Sequence, residues 1–242
     1  LHASRLAGEG HRADPLPIGG IADIPPEATP EATPEPAQPC VVFLGRHTVD
    51  KGVQHLVPAL AAARETMPDL RAVILGVGPL REEIARQAAD HGLEAAIDLP
   101  GFVPDTELDR AVRRALCLVL PSRREGFGLA VLDAASRGVP SVVVRGQDNA
   151  ATELIEPGVN GVIALSADPE DLAAAIHSIH EAGFPMRERT ARWWADNAAR
   201  LSAEDGLRRA QAAYAGRPSP DALLPAPRSD AAHDLPAAHG GR

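Results

Sequence analysis

From Cys40 onward the sequence switches repeatedly between short apolar runs and amphipathic segments, and this alternation restricts the fold more than any other feature of the chain. The runs are Cys40–Leu44, Arg71–Leu75, Ile97–Leu99, Leu116–Leu120, Ser141–Val144 and Val162–Leu165. Most of them are apolar without alternation, as strands buried on both faces must be. Between them, helical patterns are expected at about Gly52–Thr66, Leu80–His91, Asp105–Arg114, Leu129–Ser136, Ala150–Ile155 and Pro169–Glu181. Strands alternating with helices through short loops predict an α/β fold, a doubly wound, Rossmann-like parallel sheet. Such a sheet binds its ligands at the carboxyl ends of the strands. Aromatic residues are only 3% of the chain, so the core must be aliphatic, which suits that architecture.

The remaining segments divide the 242 residues further. Residues 1–20 read as a short helix, a short strand at Leu16–Ile18 and a Gly-Gly turn. Residues 21–39 repeat EATP and hold Pro and Glu with little to bury, which predicts an extended or disordered linker. Residues 40–183 carry the alternating pattern. Residues 184–215 continue as helix with Trp193, Trp194 and Leu201, and residues 216–242 form an aperiodic Pro, Ala and Asp tail, expected to be disordered. Pro58, inside the first expected helix, should kink or shorten it.

A net charge of −9 argues against nucleic acid or an anionic membrane as the main partner, because both need a basic footprint. No stretch reaches the ~18 apolar residues of a membrane span, and the first residues lack a signal peptide's basic start and apolar run. A cytoplasmic chain is expected. It begins with Leu1, which reads as a chain that has lost its original N-terminus. Cys40 and Cys117 lie in strand-like runs and should behave as small buried hydrophobes.

The stretch SRREGFGLAVLDAASRGVP, residues 122–140, carries the chemistry. It reads as a Gly-rich turn after a buried strand, followed by a helix start near Gly128. Gly126 and Gly128 let the backbone come close to a ligand, and the free N–H groups of a first helical turn attract an anion. Two carboxylates frame this place, Glu125 in the turn and Asp133 about one and a half turns into the helix. Carboxylates repel phosphate, so hydroxyls are their natural partners. A second constellation is FLGRHTVDKG, residues 43–52. Arg46 follows the first strand, and Lys51 opens the next helix, where a cation opposes the dipole unless an anion sits between the two side chains. Asp50 is expected as the N-cap.

The acid, Gly-Phe-Gly, acid arrangement closely resembles the donor-sugar motif of the retaining GT-B glycosyltransferases, in particular family 4, the glycosyl transferases group 1. The family's second acid is Glu; here it is Asp133, one methylene shorter. The resemblance implies that Glu125 holds hydroxyls of the transferred sugar and that the amides of Phe127, Gly128 and Leu129 meet sugar and diphosphate. Asp133 would accept from the nucleotide ribose, and the backbone near Val103, in PGFVP, would meet the base. Arg46 and Lys51 match the family's basic pair and would clamp the diphosphate in place of a metal. Residues 1–20 would then be the end of an acceptor-binding domain that is otherwise missing or separately encoded, and residues 40–183 the nucleotide-sugar domain.

The function implied is transfer of a hexosyl group from a nucleoside-diphosphate sugar to an acceptor hydroxyl with retention and without metal or other cofactor. The alternatives are a non-catalytic nucleotide-sugar-binding fragment and a GT-B-like sugar-nucleotide epimerase. Other signals are weaker. GVGPL after the second strand lacks the third Gly of a dinucleotide fingerprint. His177 and His180 stand three apart with no third ligand at a recognisable spacing. Asp168, Glu170 and Asp171 around Pro169 suffice as a helix start. Trp193 and Trp194 would mark either a contact with the other domain of a GT-B enzyme or packing on their own.

Overall fold

A computed structural model describes residues 39–214 of the protein. The expectations for residues 1–20, for the linker up to residue 38 and for the chain beyond residue 214 fall outside the described residues.

Six strands form one parallel sheet: β1 (Cys40–Leu44), β2 (Arg71–Leu75), β3 (Ile97–Gly101), β4 (Cys117–Leu120), β6 (Ser141–Val144) and β8 (Gly161–Ala164). Two further strands, β5 (Arg124–Glu125) and β7 (Asp148–Asn149), pair in a separate ladder. The spatial order is β3-β2-β1-β4-β6-β8, the doubly wound arrangement. All residues of β4 and β6 are buried, which is why CLVL and SVVV read as unbroken apolar runs. The edge strand β3 places Asp98 and Pro100 at exposed positions, where a missing N–H and a charge discourage further pairing.

The helices are α1 (Leu56–Arg64), α2 (Arg81–Asp90), α3 (Asp105–Arg114), α4 (Leu129–Ala135), α5 (Pro169–Leu201) and α6 (Ala203–Tyr214). The helix expected from Gly52 begins instead with 3-10 turns at Val49–Lys51 and Val53–His55. Pro58 thereby falls in the first turn of α1, where its missing N–H removes no intrahelical bond. Ala150–Leu154 is likewise a 3-10 helix. In α5 the break comes at Gly183, whose φ of 56° and ψ of −154° are not helical, and Pro185 follows it.

Beyond that break α5 buries Met186, Trp193, Trp194 and Leu201 in the core of this domain. The two Trp residues therefore pack on their own domain. Arg187 fixes the same segment to the end of α3: its guanidinium donates to the Ala115 carbonyl at 2.6 Å and the Arg113 carbonyl at 2.8 Å, acceptors that a helix end leaves open. Asp168 stands at the N-cap with Pro169 behind it, but its side chain makes no cap bond. Ser166 Oγ instead accepts from the Asp168 amide at 3.0 Å and donates to Asp171 at 2.7 Å. Cys117 is buried in β4 and Cys40 is half-buried at the start of β1. Among the described residues no helix is long and apolar enough to cross a membrane.

Candidate functional site

The strand order reverses direction between β1 and β4, which lie side by side with Val41 opposite Cys117. Connections leaving these two strands diverge to opposite faces, and the crevice between them is where a doubly wound sheet takes its ligand. Close approach of the two loops depends on Gly52. A β-carbon there would lie 2.1 Å from the Pro121 carbonyl oxygen, so only glycine lets the chain after β1 rest on the chain after β4. The Arg123 amide donates to the Asp50 carbonyl at 3.0 Å and locks the contact. Lys51 is thus carried across the crevice, and its Nζ lies 2.7 Å from Glu125 Oε2, with the two side chains 20% and 12% exposed.

Glu125 is held by the short ladder in which it opposes Asn149. Asn149 is fully buried and uses its whole amide: Nδ2 donates to the carbonyls of Ser122 (3.0 Å) and Val144 (2.8 Å), and Oδ1 accepts from the Ala151 amide at 3.1 Å. One side chain thereby joins the ends of β4 and β6 to the 3-10 helix behind the Gly-rich turn. A helix is expected from the sequence at Ala150–Ile155, with Asn149 not singled out; an Asn immediately before a helical segment is the signal that marks it as a cap.

Gly128 starts α4 in the left-handed region, φ 91°, and a β-carbon there would meet Ala151 Cβ at 2.8 Å. The turn before it consequently stays open. Among the described residues the amides of Phe127, Gly128 and Leu129 donate to no backbone carbonyl; the bonds of the first turn begin with Val131 onto the Gly128 oxygen. Asp133 follows on α4, and its Oδ1 accepts from Arg137 Nη1 at 2.7 Å.

These groups share one open cleft of about 610 Å³, lined by Lys51, Glu125, Gly126, Phe127, Gly128, Leu129, Ala130 and Asp133 together with Leu44, Gly45 and Leu120 at the two strand ends. That volume is in the range of small-molecule sites. Of the residues singled out from the sequence, Arg46 and Val103 do not line it. Arg46 adjoins Gly45, but its side chain is 73% exposed and pairs loosely with Asp50 at 3.8 Å. Val103 is half-buried against the core. Asp50 is not the N-cap: the 3-10 turn begins one residue earlier, so Thr48 holds the cap position and Asp50 sits within the turn.

Other titratable groups lie apart from the cleft. His177 pairs with Glu181 at 3.4 Å, and no cluster of three metal-ligating side chains occurs among the described residues. His47 is fully buried behind the loop after β1, and burial holds its pKa below the ordinary imidazole value. Burial pushes the Cys40 thiol up to about 11 and raises Cys117 as well.

An anion-receptive cleft of this make-up, at the switch point of a doubly wound sheet, is that of a nucleotide-binding α/β domain. Residues 27–197 match the family described as Glycosyl transferases group 1, and the chain belongs to that family. It is 34% identical to the glycogen synthase of Mycobacterium tuberculosis over 154 residues, 63% of this chain and 37% of the relative. It is 36% identical over 158 residues to the GDP-mannose-dependent α-(1-6)-phosphatidylinositol dimannoside mannosyltransferase of the same species, 65% of this chain and 39% of that one. Among solved structures, a mutant of S. aureus TarM in complex with fondaparinux, α-GlcNAc-glycerol and UDP matches with a TM-score of 0.73 at 18% identity, over 86% of this chain and 41% of that one. The fold is therefore the GT-B Rossmann-like domain that the sequence motif implied. The chain spans well under half the length of these relatives.

Proposed function

We propose that this domain is the donor half of a retaining glycosyltransferase, binding a nucleoside-diphosphate sugar in the cleft between β1 and β4. The observation that carries the reading is the meeting of Lys51, Glu125 and the open amides of Phe127 to Leu129 in a single crevice. The reaction breaks the bond from the anomeric carbon to the phosphate oxygen and forms one to the acceptor hydroxyl oxygen, whose proton leaves with the nucleoside diphosphate. Negative charge gathers on the departing phosphate. Lys51 and the amides stabilise it from fixed positions, and Arg46 joins them by turning from its exposed place beside Gly45. Loss of one such donor typically lowers the rate by ~10²- to 10³-fold. Glu125, released from Lys51 as the diphosphate takes that cation, accepts from hydroxyls of the transferred hexose. In this reading the basic side chains do the work of a metal, Asp133 meets the ribose, and the backbone near Val103 meets the base.

A second reading is donor binding without transfer until an acceptor-binding domain completes the cleft, whose lining among the described residues comes from this domain alone. A thermal-shift panel of nucleoside diphosphates and their sugars tests the shared element. A ligand at a hundredfold excess over its Kd stabilises the folded state by about 2.7 kcal/mol, which is about 5–10 °C for a domain of this size. No shift with any member of the panel overturns the proposal. Release of nucleoside diphosphate from the stabilising donor separates transfer from binding alone.

A further inference from the structure

We infer that Arg137 is a positioning residue for the nucleotide ribose, acting through Asp133 and anchored on Asp109; the inference rests on the donor-binding reading above. Arg137 lies one turn after Asp133, just past the end of α4. Its Nη1 donates both to Asp133 Oδ1 and to the Asp133 carbonyl, each at 2.7 Å, while its Nε donates to Asp109 Oδ1 on α3 at 2.8 Å. Asp109 is itself gripped from its own helix, its Oδ2 accepting from Arg113 Nε at 2.8 Å. Ser136 closes the set by donating to the Asp133 carbonyl at 2.8 Å.

An acid and an arginine one turn apart on an exposed helix form a weak, mobile pair. This pair is different, because Arg137 is only 16% exposed and its planar guanidinium is fastened at a second edge to another helix. A planar guanidinium whose Nε is held on Asp109 presents its Nη1 to Asp133 from a fixed direction and so biases how that carboxylate turns. Asp133 Oδ1 is thereby committed to Arg137, whereas Oδ2 makes no hydrogen bond among the described residues, and Asp133 lines the cleft. The structure thus supplies one fixed acceptor oxygen at the place where the side chain is a methylene shorter than the family's Glu. A short acid cannot swing to find a hydroxyl, so its direction must be set from behind.

Calorimetry on the full chain with UDP, GDP and ADP, and with the 2′- and 3′-deoxy forms of whichever binds best, tests this. The native protein is expected to prefer the ribonucleotide over at least one deoxy form by on the order of 10- to 100-fold, the worth of one hydrogen bond to a charged group. Asp133→Ala should bring the ratio close to one. Arg137→Gln should do the same, and should change nothing further when added to Asp133→Ala. Asp109→Asn should fall between. Arg137→Lys keeps the charge but cannot fork between two carboxylates, and gives the same readout if Arg137→Gln does not fold. A merely structural Arg137 would move the melting temperature and leave the ratio alone. An Arg137 variant with the native ratio, an effect that persists without Asp133, or a native protein indifferent to both hydroxyls overturns the inference while the donor-binding reading stands. A native protein that binds no nucleoside diphosphate overturns both.

Discussion

Lys51 Nζ and Glu125 Oε2 lie 2.7 Å apart across the switch point of the sheet, each contributed by the loop at the end of a different central strand. The pair spans the place where the proposed diphosphate and sugar would meet, so it couples the stability of the empty protein to its binding of ligand. Removing the cation alone strands a carboxylate that is only 12% exposed. Lys51→Met should therefore lower stability by about 1–3 kcal/mol, the cost of an unsatisfied buried polar group, and abolish measurable nucleoside diphosphate binding. Lys51→Met combined with Glu125→Gln should recover most of the stability and none of the binding. Urea denaturation and calorimetry on the same samples read the two effects. Equal stability of the single and double variants would show that losing Lys51 strands no costly carboxylate, and native stability in Lys51→Met would show that the ion pair does not hold the loops.

Gly128→Ala tests the backbone that opens the amides. The substitution forces a side chain into a positive-φ position and against Ala151 at 2.8 Å. A strained position of this kind costs about 1–3 kcal/mol. The chain can relieve the strain only by shifting the start of α4, which would also close the amides of Phe127 to Leu129. Stability and donor affinity should fall together. A variant with native melting behaviour would sink the claim that the turn depends on this glycine.

Asn149→Ala removes three hydrogen bonds from a fully buried site and leaves the carbonyls of Ser122 and Val144 without their donor. A loss of about 1–3 kcal/mol is expected for each group left unpaired, together with weaker donor binding, because Glu125 loses the strand that opposes it. Asn149→Asp keeps the acceptor for the Ala151 amide but not the two donors, and should recover little. Chemical denaturation measures both, and full stability in Asn149→Asp would overturn the assignment of the load to Nδ2.

Much of this was legible in the sequence because buried parallel strands are written as continuous runs. Cys40–Leu44, Arg71–Leu75 and Ser141–Val144 fall where their composition places them. Lys51, Glu125, Gly126 to Leu129 and Asp133 were recognisable because a helix start, two glycines and charges at strand ends carry their own physical reason. The turn at Val49–Lys51 was harder, since propensity does not separate one 3-10 turn from the first turn of an α-helix, and the cap lies at Thr48, two residues before the expected Asp50. Arg137 had no sequence signal beyond an ordinary acid-arginine spacing. Its importance appears only when the fold brings Asp109, far away in the chain, against it.

The two thiols offer a check on the core that is independent of the site. Burial raises the Cys40 thiol to about 11 and raises Cys117 too, so both are almost wholly protonated near pH 8 and shielded in β1 and β4. A disulfide reagent should label neither at an ordinary thiol's rate in the folded protein, and both rapidly in guanidinium. Fast labelling of Cys117 in native buffer would contradict the burial of β4.

His47 makes the stability of the protein sensitive to mild acid. Its side chain is fully buried, and burial disfavours the imidazolium; the Leu75 carbonyl opposes this in part, and the charge of Arg81 adds to it. The folded pKa therefore lies below the value of about 6.5 that an exposed imidazole has in the unfolded chain. As pH falls through that value, the unfolded chain takes up a proton that the folded protein refuses, so stability is fully present above pH ~6.5 and is lost below it, with a limiting slope of ~1.4 kcal/mol per pH unit for one proton. His55 is shifted in the same direction by burial and contributes a second part. Asp109 titrates below the ordinary carboxylate range, because the hydrogen bonds from Arg113 and Arg137 outweigh the effect of its burial, and so stays out of the window above pH ~5. Urea denaturation between pH 5 and 8 should show stability falling on the acid side, and His47→Leu, of similar volume, should flatten that fall and leave only the part due to His55. An unchanged slope in His47→Leu would mean that the ring exchanges its proton with solvent in the folded state, against its burial behind the loop that carries Lys51.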